Sequence, residues 1–114
     1  MPRINSYSFG KIVIDGKEYR SDVIIFPNRV DASWWRKEGH ELNPDDIREI
    51  IEEDPEILII GTGASGLMKV KEETKRILEK HNIRFIIKTT KEACKLFNEE
   101  SKKKKVIAAL HLTC

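Results

Sequence analysis

The sequence has few of the features that indicate a secreted or membrane protein: it contains only two cysteines and no long apolar run. Cys94 and Cys114 are too few for a disulfide framework, so both are expected as free thiols in a reducing compartment. No stretch approaches the roughly 20 apolar residues that cross a bilayer. The opening segment MPRINSYSFG also lacks the apolar centre of a signal peptide. We therefore expect a cytoplasmic protein without a membrane partner.

A dominant charge and the amino acid glutamine are also missing. The 21 basic and 19 acidic side chains nearly cancel, to a net charge of +2. Because these charges are interspersed, no strong field attracts nucleic acid, which is therefore an unlikely partner on these grounds. The chain has no glutamine and is rich in Glu, Lys and Ile, a bias associated with proteins that work at high temperature. We expect a thermophilic source.

The length and the N-terminal pattern predict one domain that begins with a hairpin. A chain of 114 residues with 39% hydrophobic residues is typical of a single globular domain, here 1–114. Residues 7–14 and 17–26 alternate polar and apolar side chains on the two sides of Asp15-Gly16, a pair that favours a two-residue hairpin turn. Residues 27–42 have no usable period and are predicted to form an irregular connection.

The rest of the chain alternates helical and strand patterns. Asn43 and Pro44 have the residue types expected at the start of a helix. Apolar segments then predict three strands separated by two helices, with strands near 57–60, 84–88 and 105–112 and helices near 71–82 and 89–105. We predict an α/β fold: a single three-layer domain with a mixed central sheet, an N-terminal β-hairpin, a helix and a β-α-β-α-β unit. The strands near 57–60 and 84–88 should be parallel neighbours.

The segment GTGASG, residues 61–66, has the glycine spacing of a dinucleotide-binding fingerprint and follows a predicted buried strand. However, the residues LMKV separate it from the next helix, and the acidic residue expected after the second strand is replaced by Lys88-Thr89-Thr90. We therefore predict a turn that brings two backbones close, with room for a small anion at most. The candidate anion-binding residues are Gly61, Thr62, Gly63, Ser65 and Lys69.

Four segments together resemble a small, widely distributed and largely uncharacterised α/β domain family: SWWRKEGHELNPDDI, IIGTGASGLMKVKEETKRILEKHNI, TTKEACKLFN and HLTC. This family includes the human adipogenesis-associated domain protein and, more distantly, a mitochondrial factor for assembly of respiratory complex I. The resemblance implies a compact α/β domain with a mixed sheet. It also implies that Gly61 and Gly63 belong to the family's pattern more than Gly66 does, and that the assembly-factor relative acts by contacting another protein.

Two tryptophans in the irregular connection are the first candidates for contact with a partner. In one interpretation of Trp34 and Trp35, one ring seals an edge of the core and the other packs on a charged side chain such as Arg36. In the alternative, they form the aromatic rim of a cleft or of a partner interface, where tryptophan and arginine are the usual anchors. Trp35 and His40 match a tryptophan and a histidine of the resembled family.

The chain's other candidates lie near its C-terminal end. His111 and Cys114 are three residues apart, so on a strand their side chains would point to opposite faces and could not readily share a metal ion. We predict no metal site and no cofactor. Asn98 ends the inward stripe of its helix and matches an asparagine of the resembled family; the alternative is a hydrogen bond to backbone at the helix end. Cys94 is predicted to be a small core residue.

Three functions remain open from the sequence. The leading one is a non-enzymatic module of the protein-interaction or assembly type, because no complete catalytic constellation is visible. The second is a small-anion or nucleotide-binding protein that uses the turn at 61–66. The third is an enzyme of unassigned reaction that uses His40, His111 or Cys114. Neither the partner nor the oligomeric state, monomer or homodimer, follows from the sequence.

Overall fold

The computed structural model describes residues 2–114, and the strands and helices in them build three layers. The strands are β1 (Ile4–Ser8), β2 (Lys11–Ile14), β3 (Lys17–Tyr19), β4 (Val23–Phe26), β5 (Arg29–Asp31), β6 (Glu41–Leu42), β7 (Ile57–Gly61), β8 (Lys69–Val70), β9 (Arg84–Lys88) and β10 (Val106–Leu110). The helices are a 3-10 helix (Pro44–Ile47) that continues into α1 (Arg48–Glu53), then α2 (Glu72–Lys80) and α3 (Thr90–Glu100).

The central sheet has the strand order β5-β4-β10-β7-β9 and is mixed, as predicted. Strands β10, β7 and β9 run parallel, and Ile57 of β7 pairs with Arg84 of β9. The predicted parallel pairing of these two strands is therefore confirmed. Strand β4 is antiparallel to β10, and β5 is antiparallel to β4. The parallel strands consequently end at one common edge of the sheet.

Alternate residues of β7 face two different layers, which confirms the three-layer prediction. Ile57 and Ile59 pack in a core with Phe97 of α3 and with residues of the small antiparallel sheet β1-β2-β3. Leu58 and Ile60 pack in a second core with residues of α1 and α2. Because every residue of β7 is buried, its sequence is apolar throughout, as expected for a strand covered on both faces.

The predicted N-terminal hairpin is only partly correct. The turn at Asp15 and Gly16 is confirmed: both have positive φ, 49° and 80°, and β2 pairs with β3 across it. The predicted strand 7–14 is broken by a turn at Gly10, where φ is 74°. The predicted strand 17–26 is also two strands, because its apolar end VIIF is fully buried and leaves the hairpin to join the central sheet as β4.

The predicted irregular connection and the later elements need smaller corrections. Residues 27–42 contain the short strands β5 and β6, and β6 pairs in parallel with β8. Asn43 is the N-cap of the 3-10 helix, as predicted. The last strand ends at Leu110, so His111 and Cys114 lie beyond it. The sequence argument that placed these two side chains on opposite faces of a strand was wrong. No helix within residues 2–114 is long and apolar enough to cross a membrane.

Candidate functional site

Three segments converge at the carboxyl ends of the parallel strands, where ligands gather in open α/β sheets. They are the glycine-containing turn after β7, the start of α3 after β9, and residues 111–114 after β10. Thr90 joins all three: its hydroxyl accepts a hydrogen bond from the Gly63 N–H (2.8 Å) and donates one to the His111 carbonyl (2.6 Å). Because Thr90 is fully buried, this link is shielded from water.

The turn after β7 uses its backbone donors within the protein. The amides of Thr62, Leu67 and Lys69 donate to carbonyl oxygens of Lys88, Cys114 and His40. Further amide donors with protein acceptors are Gly63, Ala64, Gly66 and Met68. An anion site built from this turn requires free N–H groups. These donors are therefore not available to an anion in this conformation, and Ser65 and Lys69 remain there as exposed side chains.

Two glycines of the turn are explained by close approach of other chain segments. A Cβ atom on Gly63 would lie 2.5 Å from the backbone carbon of Cys114 and 2.8 Å from the carbonyl oxygen of Thr113, and φ there is +108°. A Cβ atom on Gly61 would lie 2.8 Å from a Leu110 methyl carbon. Non-bonded atoms do not approach so closely. The turn therefore brings two backbones together, which is the alternative that the sequence favoured over a dinucleotide site.

A charged network lies directly behind residues 111–114. Asp22 Oδ2 is 2.8 Å from Arg36 Nη1 and 2.8 Å from His111 Nδ1, and Asp22 Oδ1 accepts the Leu112 N–H at 2.7 Å. Arg36 also donates to the carbonyl of Gly39. Arg36 and His111 are both buried. Burial alone would raise the pKa of Asp22, but the hydrogen bonds from His111, Leu112 and Arg36 outweigh it and hold that pKa below its ordinary value.

His40 and Cys114 lie on the solvent side of this network. Cys114 Sγ is 3.7 Å from His40 Nε2, and Cys114 is half-buried whereas His40 is exposed. The His40 ring meets the His111 ring edge to face, with centroids 5.9 Å apart and an interplanar angle of 77°. The structure thus brings together three of the residues selected from the sequence. Within residues 2–114, no group of three or more His, Cys, Asp or Glu side chains could hold a metal ion.

The two tryptophans differ in their surroundings. Trp34 is anchored: its Nε1 donates to the Asp46 carbonyl at 3.1 Å, and the Arg36 guanidinium lies 4.8 Å from its ring centroid. It therefore both packs on the core edge and meets Arg36, the two roles that the sequence divided between the rings. Trp35 is 78% exposed. Its exposure fits the alternative prediction of an aromatic rim.

Asn98 is the candidate that the structure places elsewhere. Its side-chain oxygen accepts the Ile4 N–H at 2.9 Å, and its side-chain nitrogen donates to the Ile4 carbonyl at 2.8 Å. The Asn98 side chain thus pairs with the backbone of β1 as a residue of a neighbouring strand would, and it joins α3 to β1. The predicted alternative of a hydrogen bond to backbone accounts for Asn98, although the backbone is that of a strand far away in sequence.

Asp22 and Thr90 contribute to the site and were missed in the sequence. Asp22 lies in YRSDVIIF, where three consecutive polar residues interrupt the apolar alternation of the predicted strand. That interruption was the available signal for a chain break with a functional carboxylate. Thr90 directly follows Thr89, which is the better N-cap candidate. No sequence feature of Thr90 indicates that its hydroxyl is buried and joins other segments of the chain.

The chain is similar to known proteins along nearly its whole length. The model of a family described as protein of unknown function (DUF498/DUF598) matches residues 4–111. The crystal structure of the conserved hypothetical protein PH1505 from Pyrococcus horikoshii OT3 is 33% identical, with a TM-score of 0.85, and the match covers 98% of this chain and 99% of that one.

Two further solved structures have the same fold over nearly their full length. The protein MT938 is 30% identical, with full coverage of both chains and a TM-score of 0.82. A protein from Bartonella henselae described as an outer membrane protein is 25% identical, with 97% of this chain and 94% of that one covered and a TM-score of 0.84.

Proposed function

The chain belongs to the family of proteins of unknown function DUF498/DUF598, and we propose that it is a protein-interaction module of the assembly type. The observation that carries this proposal is Trp35, which is 78% exposed beside an anchored neighbour. Exposed tryptophan is unfavourable in water, and tryptophan is enriched among the few residues that dominate binding energy at protein interfaces. Trp35 is therefore the proposed anchor for a partner.

The segment that carries Trp35 is held firmly, which favours binding. Trp34 on one side bonds to Asp46, and Arg36 on the other side is buried against Asp22. A rigid anchor loses little conformational freedom when a partner binds, so more of its contact energy contributes to affinity. This arrangement supports a preformed contact surface at the β5 edge of the central sheet.

The charge around Trp35 indicates the chemistry of the partner. A cleft of about 520 Å³ runs along Trp34 and Trp35. Within the described residues, five carboxylates line this cleft, those of Asp31, Asp45, Asp46, Glu49 and Glu52, against the one guanidinium of Arg48. Arg48 is already 3.0 Å from Asp45. A partner segment with lysine or arginine side chains would complement both the carboxylates and the faces of the indole rings.

The resemblance noted from the sequence supports the same function. A family that includes the human adipogenesis-associated domain protein and, more distantly, a complex I assembly factor implies action through contacts with other proteins. We also propose a cytoplasmic location and a thermophilic source, which rest on the two free cysteines and on the absence of glutamine. The second candidate, anion binding at the turn after β7, has less support because most of the turn's amides already have acceptors.

Affinity capture from an extract of the source cells tests this proposal, with three forms of the protein used as bait. The wild type, Trp35→Ala and Ile87→Ala should be equally folded, since both replaced side chains are exposed. Ile87 lies on β9, at the edge of the sheet opposite β5, and is the matched control. We expect one protein recovered in stoichiometric amount with the wild type and Ile87→Ala but not with Trp35→Ala.

The captured protein should then bind the purified wild-type chain directly. Replacing the cleft residues Glu49 and Glu52 together by glutamine should weaken that binding, and high salt should weaken it further. Equal recovery by all three baits would contradict the proposal. A large fall in melting temperature for Trp35→Ala with capture intact would show that Trp35 stabilises the fold and is not the anchor for a partner.

A further inference from the structure

Cys114 and His40 come from distant parts of the chain and form a close pair at the surface. The distance from Cys114 Sγ to His40 Nε2 is 3.7 Å. A thiol within reach of an imidazole is the basic unit of a cysteine nucleophile, because the imidazole can accept the thiol proton. Since His40 is exposed and Cys114 is half-buried, a reagent in solution can reach the sulfur.

One loop positions both members of the pair. The Leu67 N–H donates to the backbone oxygen of Cys114 at 3.0 Å, and two residues later the Lys69 N–H donates to the carbonyl of His40 at 2.8 Å. The Ala64 N–H holds Thr113 in the same way. The loop that resembles a dinucleotide fingerprint thus serves as a clamp, and its hydrogen bonds keep the thiol next to the imidazole.

A second imidazole supports the first from behind. The His111 ring lies edge to face with the ring of His40, and Asp22 Oδ2 is 2.8 Å from His111 Nδ1. His111 Nδ1 is also 3.0 Å from Arg36 Nη2, so the Asp22 carboxylate and the Arg36 guanidinium together fix the orientation of that ring. The His40 ring therefore packs against a neighbour that is itself held in place by Asp22 and Arg36.

We propose that Cys114 is a reactive thiol that undergoes exchange with small disulfides, with His40 as its proton acceptor. In this step the Cys114 S–H proton moves to His40 Nε2, and the resulting thiolate attacks one sulfur of the disulfide. A new S–S bond forms to Cys114 as the original S–S bond breaks, and the departing thiolate takes the proton from His40. No other oxidant is needed, and the inference does not depend on the docking role of Trp35.

Cys94 provides an internal control in the same molecule. Cys94 lies on the buried face of α3 and is 7% exposed, and burial raises the pKa of its thiol to about 12. A thiol that is both buried and protonated reacts slowly, because the thiolate is the nucleophile. The folded protein should therefore present one reactive thiol, at Cys114, and one inert thiol, at Cys94.

Oxidised glutathione is a suitable probe, with the mixed disulfide located and timed by mass spectrometry across a pH series. We expect modification at Cys114 well before Cys94, and a rate at neutral pH that falls about tenfold in His40→Gln. The difference should shrink above about pH 9, where a free thiol ionises without help. His81→Gln is the matched control, since His81 is exposed on another part of the surface.

Three results would overturn the proposal. They are equal rates for the wild type and His40→Gln throughout the pH series, the same loss of rate in His81→Gln, and Cys94 reacting as fast as Cys114 in the folded protein. Melting curves of the variants keep the comparison valid, because an unfolded variant would expose Cys94. The pH profile of the wild type alone gives a second measurement: an unassisted thiol would show a single rise near its ordinary pKa of about 8.5.

Discussion

Asp22 Oδ2 lies 2.8 Å from His111 Nδ1, so the residue before β4 is joined to the residue after β10. Burial raises the pKa of Asp22, but its hydrogen bonds to His111, Leu112 and Arg36 together lower it below the ordinary value. A carboxyl group whose pKa is lowered by folding stabilises the fold above its unfolded pKa of about 3.9. That stabilisation is lost as the pH falls through the lower pKa of the folded state.

We predict that Asp22→Asn lowers the free energy of unfolding at neutral pH by about 3 kcal/mol, because Arg36 is left buried without its counterion. The variant should also lose less stability than the wild type between about pH 5 and pH 2, since it lacks the group that titrates there. Urea unfolding at several pH values measures both effects. Asp45→Asn, which affects an exposed ion pair, should change stability by less than about 1 kcal/mol. Similar losses in the two variants would contradict the prediction.

Gly63 should be the least replaceable glycine of the turn after β7. A Cβ atom there would lie 2.5 Å from the backbone carbon of Cys114, and the positive φ of Gly63 is itself unfavourable for alanine. We expect Gly63→Ala to destabilise the protein by about 2 kcal/mol or more. Gly39→Ala is the control: a Cβ at Gly39 meets nothing within 4 Å, so its effect should stay within about 0.5 kcal/mol. Thermal unfolding of both variants decides the matter.

The parts of the fold that could be predicted are those with a single strong pattern. Along the chain, the apolar runs of β7, β9 and β10 alternate with segments of helical periodicity. Right-handed crossovers between parallel strands are the connections that such an order favours. The N-terminal part was harder because VIIF follows alternating residues without a glycine or proline. Whether it continues the hairpin or joins β10 depends on contacts with Ala108 and Leu110, more than 80 residues later. The polar residues 20–22 mark a break in the pattern, but local sequence does not show which strand VIIF then joins.

The candidate site could be predicted only as a set of residue types. His40, His111 and Cys114 were selected one at a time, but their meeting depends on where β10 ends and on how residues 111–114 lie against the turn at Gly63. No local pattern connects Asp22 with these residues, because Asp22 and His111 are 89 positions apart. Pairings over such distances are determined by the packed sheet and not by local propensity.

Asn98 should act as a structural link between α3 and β1. Its amide makes two hydrogen bonds to the backbone of Ile4, and the Ile4 side chain is buried. We predict that Asn98→Ala lowers the free energy of unfolding by about 1 to 3 kcal/mol, because an N–H and a carbonyl lose their partner together. Glu99→Ala, an exposed position on the same helix, is the control and should have little effect. Unchanged stability in Asn98→Ala, with a loss of partner binding, would instead show that Asn98 belongs to the partner-binding surface.

The turn at residues 61–66 should bind a dinucleotide no more tightly than it binds plain phosphate. Most of its amides already donate within the protein, and the next parallel strand ends at Lys88 and is followed by Thr89, where a ribose would need a carboxylate. Any anion must then depend mainly on exposed side chains such as those of Ser65 and Lys69. Calorimetric titration with NAD, NADP, ATP and phosphate compares these ligands directly. Binding of NAD with a Kd near 1 μM, about 8 kcal/mol, would refute the prediction if Lys69→Ala weakened it and Lys80→Ala did not.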